Sequence, residues 1–440
     1  MQPDPLTQAY EFFHAGRLDE AAERCNVILQ RNADNATANH LLGAVRFQQG
    51  RTEEALTLLR RATASPGGNA EMHNNLGAIL YKLGRKEDAI AAFERALAIK
   101  PGYADALNNL AVIYLEQQKT EQAIDTFRQA VAIQPELMRA QANLRSAYHG
   151  VVPPWHFAMM DDKKRNEAYE AAIRRAVPGK RVLDIGTGAG LLALLAAQAG
   201  AARVTTCEAV ALIAERARDI VIKNGLADRI TVIPKKSTEM SVPGVMAERA
   251  EVLVTETFAS GLLTEGILTT IEHAHEYLLT PNATIIPAAA SVMGYLAGGP
   301  VLQGMLFVDK IAGFDLSSFN DFAPSMLPVA LDNIPHRALS DDAELIRFDF
   351  REKRFPMGGV RLALKATRHG VCVGIAQWIK LELDSQTKYE NRPAPQSTEF
   401  NGHWTHIIHR FPRLITVAPG DVIPVLFRHD RSQIGIDLLE

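Results

Sequence analysis

The sequence is poor in the features that mark secreted, membrane-spanning or nucleic-acid-binding proteins. Its three cysteines, Cys25, Cys207 and Cys372, form no Cys-x-x-Cys pair, so neither a disulfide framework nor a zinc site is indicated. It has no run of roughly 18 apolar residues and no basic-then-apolar start typical of a signal peptide. A net charge of -3 gives no bulk attraction to nucleic acid or to an anionic membrane. We therefore expect a cytoplasmic protein that binds neither of them directly.

The length and composition predict a multidomain globular protein. The chain has 440 residues, of which 47% are hydrophobic and 22% charged, a composition that is ordinary for soluble domains. A chain of this length exceeds what one hydrophobic core usually holds, so two or three domains are expected.

An internal repeat of 34 residues occupies the region 1–150. Small residues recur at this step, as in Ala21, Ala55, Ala89 and Ala123, and glycines recur at Gly16, Gly50 and Gly84. Small side chains let paired helices approach closely, and glycine permits the tight turn between them. The pattern resembles the tetratricopeptide repeat, and it predicts an all-α solenoid of roughly four repeats plus a terminal helix. Such a solenoid has a concave groove, in which we expect a protein partner.

Three asparagines, Asn75, Asn109 and Asn143, also recur at the 34-residue step. A side-chain amide both donates and accepts hydrogen bonds, so the series could hold the backbone of an extended peptide. The alternative is that asparagine is simply common at this place in tetratricopeptide sequences. The sequence leaves both interpretations open.

A glycine-rich turn after residue 150 predicts a nucleotide-type ligand. The segment Val182–Gly190 is a buried strand followed by Gly186, Gly188 and Gly190, then an Ala/Leu-rich helix and a second strand that ends at Glu208. This βαβ unit places backbone N–H groups close to a ligand. Glu208 is placed to accept hydrogen bonds from both hydroxyls of a ribose.

Asp184, at the end of the first strand, can face a ligand's ammonium group. A ligand with ammonium, carboxylate and ribose suits these groups better than a pyrophosphate. We therefore predict S-adenosyl-L-methionine as the cofactor, bound by Asp184, Glu208 and the three glycines.

The remaining strands complete the predicted domain organisation. Further short β-branched runs indicate a parallel sheet with helices on both faces, a Rossmann-like class I methyltransferase domain over 151–287. From 288 to 440, alternating runs predict an antiparallel β-barrel-like domain that walls the substrate groove. A Gly-, Phe- and Pro-rich stretch, about 300–335, interrupts it as a possible dimerisation arm. Ser237 lies in a segment expected at the carboxyl ends of the parallel strands, and it is predicted to contact the cofactor.

Two glutamates nine positions apart, Glu256 and Glu265, flank an apolar loop after the fourth parallel strand. Both carboxylates can face one point, where a guanidinium could form paired hydrogen bonds with each. Pinning one nitrogen would leave another oriented for attack on a methyl carbon. The pair therefore predicts methyl transfer to an arginine side chain, with both glutamates catalytic.

At this point the chain resembles the protein arginine N-methyltransferases. The glutamate spacing is similar to that family's double-glutamate loop, and Met159–Arg165 is similar to the segment ahead of its glycine motif. Gly402-His403-Trp404 resembles the family's Thr-His-Trp loop, and Gly313–Ser317 matches a stretch of its dimerisation region. The resemblance covers roughly 155–440, with the motifs in the same order.

The resemblance implies roles for further residues. Met159 and Arg165 would bind the cofactor, the arginine through the cofactor carboxylate. His403 would be catalytic and Trp404 would bind substrate. Some members carry two catalytic modules in tandem, whereas this chain has one, so a family-like ring would require a homodimer.

Two alternatives remain at this stage. One is a class I methyltransferase that acts on a small molecule or another non-arginine acceptor, and the other is a tetratricopeptide scaffold without catalysis. His406 and His409 share their spacing with no carboxylate or cysteine, so we predict surface or structural roles for them and no metal site.

Overall fold

The computed structural model describes residues 4–152, 155–394 and 405–439. The chain divides into two compact units, Met1–Pro153 and Pro154–Glu440. Within the described ranges, none of the helices is both long and apolar enough to span a membrane.

The first unit is an array of antiparallel helix pairs closed by one further helix. The turns inside the first three pairs contain Gly16, Gly50 and Gly84, whose φ angles are 71°, 76° and 75°. This left-handed conformation is the one that glycine adopts without steric cost. The helices are α1 (Pro5–His14), α2 (Leu18–Arg31), α3 (Ala36–Gln48), α4 (Thr52–Ala64), α5 (Ala70–Lys82), α6 (Lys86–Ile99), α7 (Ala104–Glu116), α8 (Thr120–Ile133) and α9 (Met138–Val151).

Glycine also allows close helix packing inside the pairs. A Cβ atom at Gly77 would come within 2.7 Å of the Phe93 ring, and one at Gly43 would come within 2.9 Å of Leu59. Larger side chains at these places would push the paired helices apart. The spacing of small residues therefore predicted the helix contacts correctly.

Asparagine side chains link successive repeats. Asn109 donates to Asn74 at 3.0 Å, and Asn143 donates to Asn108 at 2.9 Å. Asn75 bonds His40 at 2.7 Å. The periodic amides thus bond to the preceding repeat, which is a structural role for the asparagine series.

The second unit begins with two helices and a five-stranded parallel sheet in the order β3-β2-β1-β4-β5. The chain runs through α10 (Trp155–Met160), α11 (Lys163–Ala176), β1 (Arg181–Ile185), α12 (Leu191–Gln198), β2 (Arg203–Cys207), α13 (Ala211–Lys223), β3 (Ile230–Ile233), β4 (Ala250–Thr255), α14 (Ile267–His273), a π-helical turn (Ala274–Leu278) and β5 (Leu279–Ile286). The strand order confirms the predicted Rossmann-like fold, in which ligands bind at the carboxyl ends of the strands.

Antiparallel sheets make up the rest of the unit. A seven-stranded sheet has the core order β10-β6-β13-β15-β9, and β12-β16-β17 form a second sheet. The elements are β6 (Ala289–Gly298), α15 (Pro300–Leu306), β7 (Lys310–Ile311), β8 (Phe314–Asp315), β9 (Met326–Val329), β10 (Arg337–Ala338), β11 (Ala343–Asp349), β12 (Gly358–Lys365), β13 (Gly370–Glu382), β14 (Lys388–Glu390), β15 (His406–Val417), β16 (Val422–His429) and β17 (Ile434–Leu438). The predicted antiparallel β domain is confirmed.

Strand β13 is longer than its pattern indicates. The sequence shows two alternating runs, 370–376 and 378–383, separated by the polar Gln377. In the structure Gln377 is 1% exposed. Its burial is tolerated because its amide nitrogen donates to the Ser260 carbonyl at 3.1 Å and its amide oxygen bonds the His409 ring at 2.6 Å. A satisfied polar group can lie inside a strand, so the two runs form one strand.

The stretch 300–335 contains α15, the β7–β8 hairpin and β9. Phe314, Phe319 and Phe322 are 71%, 65% and 81% exposed, whereas β9 pairs with β15 as an edge strand of the large sheet. The exposed apolar part of the stretch therefore lies before β9.

The fourth helix pair supplies a stability prediction. Gln118 occupies the turn position that glycine holds in the earlier pairs, with φ at 60°. A left-handed residue with a Cβ atom costs about 1 kcal/mol relative to glycine. Gln118→Gly should therefore stabilise α7 and α8 by up to about that amount, measured as hydrogen-exchange protection of their amides.

The reciprocal change Gly84→Gln is the control, and it should lower the protection of α5 and α6. If Gln118→Gly left protection unchanged or lowered it, the strain assigned to this turn would be absent.

Candidate active site

The glycine turn lies where β1 meets α12. Gly186, Gly188 and Gly190 have φ angles of 86°, 50° and 87°, all in the region that favours glycine. A Cβ atom at Gly186 would come within 2.5 Å of the Thr257 side chain. The turn therefore depends on glycine, and it leads directly into the N-terminus of α12, a kind of position that suits an anionic ligand group.

Glu208 follows β2 and braces this turn. One carboxylate oxygen accepts from the Gly188 N–H at 3.1 Å, and the other accepts from the Val210 N–H at 3.0 Å. A carboxylate has about four acceptor sites, so further bonds to ribose hydroxyls remain available. These contacts place Glu208 beside the glycine turn.

Asp184 is buried and only partly satisfied. Its Oδ2 atom accepts from Thr206 at 2.7 Å, while Oδ1 has no hydrogen-bond partner among the described residues. Burial raises the pKa of Asp184 to about 7, against the lowering effects of the Thr206 bond and Arg165, and the charge of Glu208 raises it further. A buried acceptor without a donor suits a cationic ligand group such as an ammonium.

Arg165 forms a buried ion pair with Glu256. Its Nε donates to Glu256 Oε1 at 2.7 Å, and its Nη2 contacts the other carboxylate oxygen. Nη1 donates to Asn166 at 2.7 Å, and the guanidinium lies over the Tyr169 ring at 5.1 Å. The arginine predicted to bind the cofactor carboxylate is thus joined to a glutamate predicted to bind substrate. Sequence patterns gave no sign of this pairing.

Helix α11 positions Arg165 through its first turn. Asp162 caps the helix by accepting from the Arg165 backbone N–H at 3.0 Å. Tyr389, from β14, donates to the same carboxylate at 2.6 Å. Burial raises the pKa of Tyr389, which keeps the hydroxyl protonated as a donor. Asp162 and Tyr389 escaped the sequence analysis because they are 227 positions apart.

Glu265 ends the loop that begins at Glu256. Although the residue is exposed, surrounding protein atoms raise the pKa of its carboxyl, and the charge of Glu208 adds to this effect. Glu265 therefore lies within electrostatic range of the cofactor-facing acid.

The β domain contacts the loop between the two glutamates. Ser260 bonds Thr405 at 3.0 Å, and its carbonyl accepts from Gln377. The predicted site residues His403 and Trp404 lie outside the described residues. Of the other predicted cofactor residues, Met159 is half-buried in α10 and Ser237 is buried at the start of a 3-10 turn, Ser237–Glu239.

His406 and His409 have structural partners. His406 bonds the Asn391 carbonyl at 2.9 Å, and burial lowers its pKa. Burial also lowers the pKa of His409 to about 4, so this ring is neutral where it bonds Gln377. Among the described residues no cluster of three potential metal ligands occurs.

Comparison with known families agrees with both parts of the chain. Residues 12–79 and 68–136 match tetratricopeptide repeat families, and residues 167–285 match the family described as ribosomal protein L11 methyltransferase (PrmA). The predicted fold classes of the repeat array and of the parallel-sheet domain are thereby confirmed.

Among curated relatives, an arginine N(omega)-methyltransferase of Streptomyces achromogenes subsp. streptozoticus is 41% identical over 256 residues, which is 58% of this chain and 70% of that protein. Protein arginine N-methyltransferase 7 of Drosophila melanogaster is 30% identical over 326 residues, 64% of this chain and 47% of that protein. The chain therefore spans about half the length of this fly relative.

Two solved structures share the fold. The Trypanosoma brucei PRMT1 enzyme–prozyme heterotetrameric complex matches with a TM-score of 0.54 at 23% identity, covering 64% of this chain and 87% of that chain. Protein arginine methyltransferase 10 of Arabidopsis thaliana matches with a TM-score of 0.52 at 20% identity and the same coverage.

The parallel sheet, the glycine turn and the acids at its strand ends are those of an S-adenosylmethionine-dependent methyltransferase. The chain belongs to the arginine N-methyltransferases. This membership confirms the enzyme class and the methyl donor predicted from the sequence.

The raised pKa of Asp184 predicts how cofactor binding depends on pH. Below about pH 7 the carboxyl is protonated and cannot attract an ammonium group, so affinity should rise as pH rises through that value. Between about pH 6 and about pH 8 the affinity for S-adenosylhomocysteine should increase about tenfold, measured by titration calorimetry.

Asp184→Asn provides the control, since an amide does not titrate. This variant should bind more weakly at about pH 8 and lose most of the pH dependence. An unchanged pH profile in Asp184→Asn would assign the dependence to another group.

Proposed function

We propose that this protein transfers a methyl group from S-adenosylmethionine to a terminal guanidinium nitrogen of an arginine residue in a protein or peptide. The observation that carries the proposal is the Arg165–Glu256 contact, in which one of the two loop glutamates already binds a buried guanidinium through two nitrogens. The carboxylate is therefore oriented for paired N–H donors, which is the arrangement that a substrate guanidinium would also offer.

Arg165 has donors left for the cofactor. A guanidinium carries about five N–H groups, of which Glu256 takes two and Asn166 takes one. The free N–H groups suit the carboxylate of the methionine moiety. Asp184 would hold its ammonium group through the unsatisfied Oδ1 atom, Glu208 would hold the ribose, and Met159 and Ser237 would complete the site.

The cofactor supplies the methyl group on a positively charged sulfur. Glu256 and Glu265 would fix the substrate guanidinium and concentrate its charge on the nitrogens they bind, which leaves the lone pair of another nitrogen available for in-line attack. Methylation releases one proton from that nitrogen. The raised pKa of Glu265 suits its carboxylate to accept this proton. The imidazole of His403 is the second group proposed to accept it.

The chain that follows His403 and Trp404 in the sequence contacts the loop between the two glutamates. Thr405, two positions after His403, bonds Ser260, which lies between the two glutamates. Trp404, next to it, would then line the pocket for the substrate arginine.

A second candidate is methylation of arginine as a small molecule. The relative that is 41% identical is named an arginine N(omega)-methyltransferase, which favours a free amino acid as acceptor. The repeat array favours a protein acceptor, because helical repeats present an extended surface for protein partners. A scaffold without catalysis is disfavoured by the presence of both loop glutamates.

Labelled cofactor distinguishes these candidates. The protein is incubated with an arginine-containing protein extract and, separately, with free arginine, and the labelled product is identified by amino-acid analysis. We expect label on arginine in hydrolysed protein. Label confined to free arginine would support the second candidate instead.

Glu265→Gln tests the glutamate pair in the same assay. Removal of one charged partner of the guanidinium should lower kcat about a hundredfold or more, with little change in cofactor affinity. Glu352→Gln, an exposed loop residue in the same unit, is the matched control and should retain full activity. Equal rates in both variants would remove Glu265 from the catalytic machinery.

We further propose that the segments 1–150, 151–287 and 288–440 are three domains with separate functions. The repeats recruit protein partners, and a pocket of about 210 Å³ lined by His40, Phe47, Asn75 and Lys82 of α3 and α5 offers one contact point. The middle segment binds the cofactor, and the last segment positions the substrate. A cytoplasmic location fits the three cysteines, which are all unpaired thiols.

The exposed phenylalanines before β9 support a homodimer. Apolar rings at this exposure are costly in water and are typical of an interface. Phe319→Asp combined with Phe322→Asp should convert a dimer to a monomer in sedimentation experiments, whereas Met357→Asp, at an equally exposed apolar residue, should not. A wild-type protein that sediments as a monomer at micromolar concentration would contradict the proposal.

A further inference from the structure

A second pocket, of about 430 Å³, lies on one face of the parallel sheet. Its polar wall includes Arg181, Arg203, Thr205 and Thr231, and its apolar wall includes Val245 and Met246 from the segment between β3 and β4. On the opposite face of β2 and β3 the side chains of Val204, Ile230 and Val232 are buried. Strand residues alternate between faces, so the threonines and arginines point away from that buried side.

Strand register places like charges side by side in this pocket. Arg181 in β1 is in direct register with Arg203 in β2. The Arg229 carbonyl accepts from the Val204 N–H, so Arg229, just before β3, lies next to Arg203. Arg181, Arg203 and Arg229 therefore form a row of arginines across three strands. Neighbouring strands are about 4.8 Å apart. Like charges at registered positions destabilise a sheet unless an anion compensates them.

Carboxylates of the chain neutralise the arginine at one end of the row. Arg181 contacts Glu248 at 3.2 Å and Glu251 at 3.4 Å. Arg203 and Arg229 make no ion pair or side-chain hydrogen bond with any residue in the described ranges. Arg203 and Arg229 are exposed, and Arg203, which lines the pocket, therefore presents a positive charge without a protein partner at the edge of a concave site.

The neighbouring hydroxyls are also unused. Thr205 and Thr231 are in register with each other, and within the described ranges neither hydroxyl has a hydrogen-bond partner. A guanidinium and two hydroxyls together present several donors to one point. A phosphate group, with its negative charge and several acceptor oxygens, matches this set better than a carboxylate does.

Apart from Glu248, whose carboxylate is paired with Arg181, the remaining lining of the pocket is apolar. Ile233, Val245 and Met246 line it beyond the threonines, and its volume lies within the range of about 300–1,000 Å³ that small-molecule sites occupy. We propose that this pocket binds a phosphate monoester with an apolar or aromatic body, such as a nucleoside monophosphate, with the phosphate at Arg203 and the body under Val245 and Met246.

This pocket is distinct from the cofactor site. Arg203 begins β2, whereas Glu208 follows its end, and five strand residues rise about 16 Å. A ligand at Arg203 and a cofactor at Glu208 can therefore be bound at the same time. The proposal does not depend on which acceptor the enzyme methylates.

Titration calorimetry with adenosine monophosphate, in the presence of saturating S-adenosylhomocysteine, tests the proposal. The bound S-adenosylhomocysteine keeps the nucleotide out of the cofactor site. We expect saturable binding that is weakened about tenfold or more in Arg203→Gln and less strongly in Thr205→Val, since a charge-assisted bond is stronger than a neutral one. Arg413→Gln, at another exposed arginine without an ion pair among the described residues, is the control and should bind normally.

Inorganic pyrophosphate and adenosine separate the two halves of the pocket. Weaker binding of both than of adenosine monophosphate would support recognition of phosphate and body together. Absence of saturable binding of the nucleotide, or equal binding by Arg203→Gln and wild type, would overturn the proposal. Equal affinity for pyrophosphate and for the nucleotide would overturn the role given to the apolar wall.

Discussion

The buried ion pair between Arg165 and Glu256 is the contact on which the second unit depends. The two side chains are 3% and 4% exposed, and removal of two charges from water costs several kcal/mol per ion before the partners compensate for it. Paired contacts, the Asn166 amide and the Tyr169 ring provide that compensation. Loss of one partner would leave a buried charge, at a cost of about 3–5 kcal/mol. The pair thus fixes the helix ahead of the parallel sheet to the acidic loop behind its fourth strand.

Contacts from the β domain hold both ends of this arrangement. Tyr389 bonds the carboxylate that caps the helix carrying Arg165. Gln377, deep inside β13, bonds the carbonyl of Ser260 in the loop between the glutamates. The antiparallel domain therefore acts on the site from two sides, and cofactor and acceptor groups are positioned relative to one another by elements far apart in sequence.

The repeat array follows different physics from the catalytic unit. Its helices are defined by contacts between neighbours along the chain, so glycine and alanine spacing was sufficient to predict them. The recurring asparagines show which feature of the array the spacing does not predict, namely the hydrogen-bond partners of the side chains. The spacing of Asn75, Asn109 and Asn143 was visible, but the partners, which include Asn74, Asn108 and His40, follow from how successive repeats stack.

The sequence by itself determined the strand–turn–helix unit at Gly186–Gly190, the acids Asp184 and Glu208 beside it, and the spacing of Glu256 and Glu265. These features are local, because steric limits at glycine and the alternation of strand residues act over a few positions. The sequence pattern of β13 is interrupted by the polar Gln377, so it predicted two strands where the structure has one. The hydrogen-bond partners that allow Gln377 to be buried, Ser260 and His409, come from distant segments and are not visible in the local pattern.

The tertiary structure alone decided which groups meet. It paired Arg165 with Glu256 across 91 positions and brought Tyr389 to Asp162. It also set Arg203 beside Arg181, where only Arg181 has carboxylate partners among the described residues. The physical reason is that burial, charge compensation and register are properties of segments brought together by folding. No spacing along the chain encodes them.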